Sequence, residues 1–290
     1  MGTRHGKALV GLVGAGIQRS LTPAMHEEEA RHHSLKLHYQ LIDITRRGAG
    51  IEALPMLIEA ARVMGFAGLN ITFPCKQAVM PLLDEVSDEA RAMGAVNTIV
   101  FNGDKAIGHN TDGSGWTWGF RRTLPRADVR RVVLLGAGGA GSAIAHAVLR
   151  LGAEQLVVID SDGTRAAQLA DALNHQYGAA RVSASPAAEQ ALRQASGLIH
   201  ATPTGMDKLP GMPLPEAWLH AGLWVSEIVY FPLETALLKA ARARGCTTVD
   251  GGTMAVGQAI GAFELFTGFS ADPARVDAHF QRLLAGRAGD

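Results

Sequence analysis

Cysteine is scarce in this chain: Cys75 and Cys246 are the two among 290 residues. Two thiols make no disulfide framework, so a reducing, cytoplasmic compartment is expected. Neither sign of charge is in excess, with 27 Lys+Arg against 27 Asp+Glu. A nucleic-acid binder needs surplus positive charge to neutralise phosphates, so no nucleic-acid partner is expected. No apolar run approaches the roughly 20 residues of a membrane helix. Arg4 and Lys7 precede Ala8–Ile17, which has the outline of a short signal peptide. Gly11, Gly14 and Gly16 suit a buried strand running into a glycine turn instead, so neither export nor a membrane partner is expected. The 11 histidines include no H-E-x-x-H and no Cys/His pairing, and no metal site is expected. Gly-x-Ser-x-Gly is absent, which leaves a serine hydrolase without support.

The chain does have ample material for a core. Apolar residues are 47% and charged residues 19%, enough for one large or two ordinary globular domains. Leu9–Val13 reads as a buried strand closed by Gly14-Ala15-Gly16. Thr22 then offers an N-cap and Pro23 a first helical position, opening a charged and peripheral helix to His33. His38–Ile42 and Gly65–Thr72 read as strands, with a helix over Ile51–Met64 between them. A second unit begins near Trp118–Arg131. In it, Val132–Leu135, Gln155–Ile159, Leu198–Ala201, Leu223–Val229 and Thr247–Val249 read as strands, and Ser142–Leu151 and Gly252–Gly268 as helices. Strand and helix signals alternate, which predicts an α/β fold with mainly parallel sheets, in two lobes with a cleft between them. Trp116 and Trp118 are expected to pack at the lobe interface.

The segment Gly136-Ala137-Gly138-Gly139-Ala140-Gly141 satisfies G-x-G-x-x-G, with a strand before it and a helix after it. Glycine lets a backbone turn tightly and approach a pyrophosphate, and the helix start offers free N–H groups to the phosphates. Asp160, at the end of the next strand, suits an adenosine ribose and repels a 2′-phosphate, which favours NAD and leaves NADP open. Arg165 can salt-bridge this acid or receive a phosphate. The bland alternatives are a tight turn without a ligand and a solvated loop Asp. The earlier turn, Gly14 to Arg19, lacks a third glycine and reads as a way of exposing Ser20 and Thr22.

Polar groups follow apolar segments at four places: Ser20 and Thr22; Asn70, Thr72 and Lys76; Asn97 and Thr98; Asn110, Thr111 and Asp112. Strand ends in a parallel sheet converge on one edge, so these groups are expected to surround one crevice suited to a neutral-to-anionic polyol. Hydroxyls and amides can bind such a substrate, while a Lys and an Asp can handle a proton. A lysine, with an ordinary pKa of about 10.4, is a poor base until burial or a cationic neighbour lowers that value. Taken singly, Thr72 and Asn97 read equally well as strand-end caps, and Lys76 as a surface lysine. Cys75 is read as a small buried thiol, with a reactive thiol beside Lys76 as the alternative.

Ser20-Leu21-Thr22-Pro23, Asn70–Lys76, Gly94-Ala95-Val96-Asn97-Thr98, Asn110-Thr111-Asp112-Gly113, Gly136–Gly141, Ala201–Met206 and Gly257-Gln258-Ala259 together resemble the shikimate/quinate dehydrogenase family, over nearly the whole chain. Thr22 and Asp160 make the chain most similar to its NAD-linked quinate/shikimate branch. The resemblance implies an N-terminal substrate domain (1–118), a Rossmann-type dinucleotide domain (119–252) and C-terminal helices (253–290) that return to the first lobe. It implies reversible oxidation of the C3 hydroxyl of shikimate or quinate, with Lys76 and Asp112 as the catalytic pair. Ser20, Thr22, Thr72, Asn97 and Gln258 match substrate-binding positions. Gly136, Ala137, Gly138, Gly139, Ala140, Asp160 and Arg165 would serve the cofactor, with Thr202, Val229, Gly251 and Met254 along its nicotinamide half. A homodimer is compatible with this reading.

Three positions depart from the common family pattern. Thr22 stands where many members have Ser, Asp160-Ser161-Asp162 replaces the Asn-Arg-Thr of NADP-linked members, and Cys75 occupies an often aromatic position. The alternatives are an NADP-linked shikimate or aminoshikimate dehydrogenase, a folate dehydrogenase of related architecture, and a catalytically inactive dinucleotide-sensing regulator. Ser20, Thr22 and Asn110–Gly113 disfavour the folate enzyme. Retention of both Lys76 and Asp112 disfavours the regulator.

Overall fold

The structure is a computed structural model that describes residues 6–46, 48–178 and 180–287. Arg4, part of the signal-like outline, lies outside the described residues. The chain divides into two compact units, Met1–Thr111 with Val256–Asp290, and Asp112–Ala255.

The first unit is built on a six-stranded sheet of β1 (Lys7–Gly14), β2 (Lys36–Asp43), β3 (Gly68–Ile71), β4 (Glu85–Val86), β5 (Thr98–Asn102) and β6 (Lys105–His109), in the order β2-β1-β3-β5-β6-β4. β1 pairs in parallel with β2 and β3. β5 runs antiparallel to both β3 and β6 and is the exception in a sheet expected to be mainly parallel. It is joined to β6 by a hairpin at Gly103, whose φ of 61° reverses the chain in a conformation that favours glycine. Helices α1 (Thr22–His32), α2 (Leu54–Val63), α3 (Cys75–Ala78) and α4 (Asp88–Met93) complete the segment.

Two details of α1 differ from the sequence reading. Thr22 is the first helical residue rather than the N-cap, and its N–H is taken by the Ser20 hydroxyl at 3.3 Å. The helix is not peripheral, because Met25, His26, Glu29 and Ala30 are buried.

The second unit carries a wholly parallel sheet of β7 (Arg131–Leu135), β8 (Gln155–Ile159), β9 (Val182–Ala184), β10 (Gly197–His200), β11 (Trp224–Glu227) and β12 (Thr247–Val249). Its order is β12-β11-β10-β7-β8-β9. Read from β9, this is the doubly wound order of a dinucleotide fold, with the switch point between β7 and β10. The helices of this unit are α5 (Asp112–Thr123), α6 (Gly139–Arg150), α7 (Gly163–Tyr177), α8 (Ala188–Gln194) and α9 (Ala236–Ala243). α6 is buried from Gly141 to Leu149, and its small side chains let it lie close to the sheet. Trp116 of α5 is in this unit's core. It stacks on Phe120 at 4.8 Å and donates its indole N–H to Ser226 Oγ at 2.9 Å.

α10 (Gly251–Thr267) carries the chain from the second unit into the first, and α11 (Pro273–Arg287) follows. α11 is tied to α1 through buried Glu29. That carboxylate accepts Arg275 Nε at 2.7 Å and the Asp272 N–H at 2.9 Å. Among the described residues, no helix is long and apolar enough to cross a membrane.

Candidate active site

In the first unit, buried Asn97 is the centre of the polar cluster. Its Oδ1 accepts the Thr111 N–H at 2.8 Å, and its Nδ2 donates to Thr111 Oγ1 at 2.9 Å. The Thr111 hydroxyl in turn reaches the carbonyl of Gln258 on α10 at 3.1 Å. Asn70 faces Thr98 across the β3–β5 pair, donates to Thr98 Oγ1 at 3.0 Å and accepts the Tyr39 hydroxyl at 2.7 Å. Asn97 and Thr98 stand at the start of β5, not after a strand. They share an edge with the end of β3 because β5 runs the opposite way.

Lys76 lies half-buried on α3, and its carbonyl accepts the Val96 N–H at 2.9 Å. The segment bearing Lys76 is therefore laced to the residue before Asn97, and Asn97 holds Thr111, the residue before Asp112. Asp112 opens α5 and is buried. Thr72 is held by its N–H on the Val13 carbonyl at 2.9 Å. Its methyl would lie 2.3 Å from a Cβ at Gly14, so only glycine lets β1 end there. Ser20 and Thr22 share a hydrogen bond of 3.1 Å between their hydroxyls. Burial pushes the neighbouring Cys75 thiol up to about 11, which makes it a packed side chain and not a nucleophile.

In the second unit, the glycine turn can be tested for its fit to a dinucleotide. Gly136 has φ of 102°, and a Cβ there would stand 2.5 Å from the Ala201 carbonyl oxygen. A Cβ at Gly141 would stand 2.0 Å from the Gly136 oxygen. These two glycines are demanded by the protein's own packing. A Cβ at Gly138 would meet nothing within 4 Å. That glycine fronts open space at the start of α6, where Gly139 and Ala140 begin the helix. An approachable backbone at a helix N-terminus is what a pyrophosphate requires, so the residues fit the group.

Asp160 Oδ2 accepts the Ala137 N–H at 2.7 Å, and its Oδ1 accepts the Asp162 N–H at 2.9 Å. Arg165 is exposed, 3.8 Å from Asp160 and 3.7 Å from Asp162. Thr202 and Val229 follow β10 and β11 on the same sheet edge. Gly251 packs against the end of β11, where a Cβ would stand 2.5 Å from the Val229 oxygen. Met254 is buried in the core of this unit.

Sequence reasoning missed a buried pair, His200 and Glu227. They are register partners on β10 and β11, with His200 Nδ1 2.9 Å from Glu227 Oε1. The available signal was a titratable residue closing each of two short, largely apolar strands. Among the described residues, no group of three or more His, Cys, Asp or Glu is placed to hold a metal ion.

Residues 12–99 match the family described as shikimate dehydrogenase substrate binding domain. The shikimate dehydrogenase (NADP(+)) of Streptomyces avermitilis is 55% identical over 282 residues, 97% of each chain. The quinate/shikimate dehydrogenase (NAD(+)) of Corynebacterium efficiens is 47% identical, covering 96% of this chain and 99% of its own. The solved quinate dehydrogenase from Corynebacterium glutamicum in complex with NAD superposes with a TM-score of 0.87 at 44% identity, over 96% of this chain and 100% of the other. Identity at this level over whole chains, on a doubly wound unit whose glycine turn fits a dinucleotide, leaves one assignment: the chain belongs to the shikimate/quinate dehydrogenase family of nicotinamide-dinucleotide-dependent CH–OH oxidoreductases.

Proposed function

We propose that the protein is a quinate/shikimate dehydrogenase, oxidising the C3 hydroxyl of shikimate or quinate reversibly to 3-dehydroshikimate or 3-dehydroquinate with NAD. The observation that carries this reading is the lacing around Asn97. One buried amide and its neighbour's N–H tether both segments that bring a proton-handling residue, Lys76 through Val96 and Asp112 through Thr111. Such fixed geometry is what a proton transfer coupled to hydride loss needs.

In this reading Lys76 Nζ takes the proton of the C3 hydroxyl in oxidation and returns it in reduction, with Asp112 the second member of the catalytic pair. Ser20 and Thr22 offer paired hydroxyls to the ring carboxylate. Thr72, Asn97 and Gln258 orient the ring hydroxyls. Bound NAD supplies the hydride acceptor, held by Gly136–Ala140 at the pyrophosphate and Asp160 at the adenosine ribose. The fixed carboxylate of Asp160, its side chain 8% exposed, disfavours a 2′-phosphate beside it.

One observation favours a second reading, NADP-linked shikimate oxidation. Arg165 is exposed beside Asp160 and can meet a phosphate, and the Streptomyces avermitilis relative is named for NADP(+). Initial rates with quinate and with shikimate, each with NAD and with NADP at one pH, test both. Faster turnover with NAD on either acid supports the first reading, faster turnover with NADP supports the second, and no turnover in any arm overturns both.

A further inference from the structure

The pair His200–Glu227 is wholly buried, with both side chains 0% exposed. The hydrogen bonds of the pair form a directed relay. The Glu227 carboxylate accepts His200 Nδ1 at 2.9 and 3.0 Å, the Val229 N–H at 3.0 Å and the Thr235 hydroxyl at 3.1 Å. A carboxylate only accepts, so the Nδ1 nitrogen carries the ring proton. His200 Nε2 lies 2.5 Å from Thr202 Oγ1. A neutral ring makes this nitrogen an acceptor, and the Thr202 hydroxyl then donates its single proton inward. The Thr204 N–H occupies one lone pair of Thr202 Oγ1 at 3.3 Å. Among the described residues one lone pair is left, on a half-exposed residue.

The direction in which that lone pair serves follows from the sheet. In the doubly wound order a dinucleotide crosses the switch point, with its adenosine half on the β8 side, where Asp160 stands, and its other half toward β10 and β11. Thr202 follows β10 and lies against the glycine turn, its methyl 3.0 Å from where a Cβ of Gly136 would be.

We propose that Glu227 and His200 are positioning residues that hold the Thr202 hydroxyl as a fixed hydrogen-bond acceptor for an O–H or N–H donor of the nicotinamide riboside. This rests on the dinucleotide reading above and deepens it. A threonine hydroxyl in water rotates freely and serves as donor or acceptor. The relay removes that freedom before the cofactor arrives, so the ordering cost is not incurred on binding. The same carboxylate holds the Val229 N–H, so the strand ends β10 and β11 on the nicotinamide side are set by one buried group.

The test is equilibrium binding of NAD and of ADP to the full-length protein. ADP carries the adenosine and pyrophosphate alone, so it reports the state of the glycine turn without the riboside. Thr202→Val and His200→Leu should each raise the Kd for NAD by about 5- to 10-fold, the worth of one hydrogen bond, with the Kd for ADP unchanged. The double variant should lose no more than either single one, because His200 acts through Thr202. Thr202→Ser should restore tight NAD binding. Equal losses for NAD and ADP would mean the pair is only structural, and additive losses would mean His200 does not act through Thr202; either result overturns the proposal. Should His200→Leu fail to fold, the ring 15N shifts of His200 in the wild-type protein decide: an unprotonated Nε2 supports the relay and a protonated one sinks it. Wild-type protein that binds neither NAD nor ADP defeats the dinucleotide reading itself, whereas normal NAD binding by Thr202→Val defeats the relay alone.

Discussion

The carboxylate of Asp160 accepts the backbone N–H of Ala137 at 2.7 Å, so the acid that ends β8 and the glycine turn that ends β7 form one rigid piece. The side chain expected to read the ribose therefore also shapes the turn. Asp160→Ala removes both functions and should weaken both dinucleotides, NAD by about tenfold and NADP by less, since the variant also loses the charge that repels a 2′-phosphate. Asp160→Asn keeps an oxygen for the Ala137 N–H and removes the charge, while its amide nitrogen cannot replace the oxygen that accepts the Asp162 N–H. It should shift the ratio of the KM values toward NADP, at a stability cost of about 1 kcal/mol for the lost hydrogen bond. KM values for both cofactors at saturating substrate measure this, and equal losses in the Ala variant would mean the acid serves the turn alone.

The glycines of the turn should separate in experiment. A Cβ at Gly141 would stand 2.0 Å from the Gly136 oxygen, whereas one at Gly138 would meet nothing within 4 Å. Gly141→Ala should lower stability by about 2 kcal/mol or more, as overpacking against backbone does. Gly138→Ala should leave the Tm close to wild type and weaken NAD by an order of magnitude, because the added methyl fills space the pyrophosphate needs. Thermal unfolding and NAD titration of both variants check the contrast. A destabilised Gly138→Ala with normal NAD binding would reverse it.

Much of the fold was legible because strand length, glycine and helix starts are local signals. β8 and β12 run over the residues expected of them, Gln155–Ile159 and Thr247–Val249. The β5–β6 hairpin is not legible in the sequence, although Gly103 marks its turn, because its two short strands break the alternation of strand and helix signals. This hid why Asn97 and Thr111 meet: register pairs Thr98 with His109, which no local pattern reveals. Asp43 was missed likewise. It closes β2 and accepts the Gly16 and Ile17 N–H groups at 3.0 and 3.2 Å. Against the cost of burial, the Thr45 hydroxyl and the Gly16 and Thr45 amides hold its carboxyl well below the usual carboxylate range. It anchors the first unit's glycine turn as Asp160 anchors the second, so the turn lacking a third glycine is still a fixed one. His200 and Glu227 stayed hidden because their meaning lies in a strand pairing 27 residues apart.

Lys76 is suited to a test by substitution because its backbone carbonyl accepts the Val96 N–H at 2.9 Å, a bond that does not involve the side chain. Lys76→Ala keeps that bond and removes the amine with its aliphatic stem. Turnover should fall by about 10²- to 10⁴-fold, the range of a lost general acid–base group, with the Kd for NAD unchanged. Stopped-flow rates and NAD titration on the same preparation check both halves. Near-normal turnover would remove Lys76 from the proton path.

His26 makes the stability of the first unit depend on pH. Its ring is buried among Tyr39, Phe263 and Phe266, and neither nitrogen has a hydrogen-bond partner among the described residues. Burial lowers its pKa from 6.5 to about 3. The unfolded chain takes up this proton below pH 6.5 and the folded chain does not, so stability is fully present above 6.5 and is lost as pH falls from there toward 3, by about 1 kcal/mol per pH unit. His109, also lowered by burial, contributes in the same direction. Carboxylates whose values are held down, such as Glu29 and Asp84, lose their contribution only below their ordinary range near 4.5 and 3.8. The interval between pH 6.5 and 4.5 therefore reports the histidines. His26→Leu removes two unpartnered nitrogens and keeps the volume, so stability at pH 7 should be equal or higher, and the slope between pH 6.5 and 4.5 should flatten. Urea unfolding at four pH values in that interval measures the slope, and an unchanged slope in the variant would exclude His26 as its source.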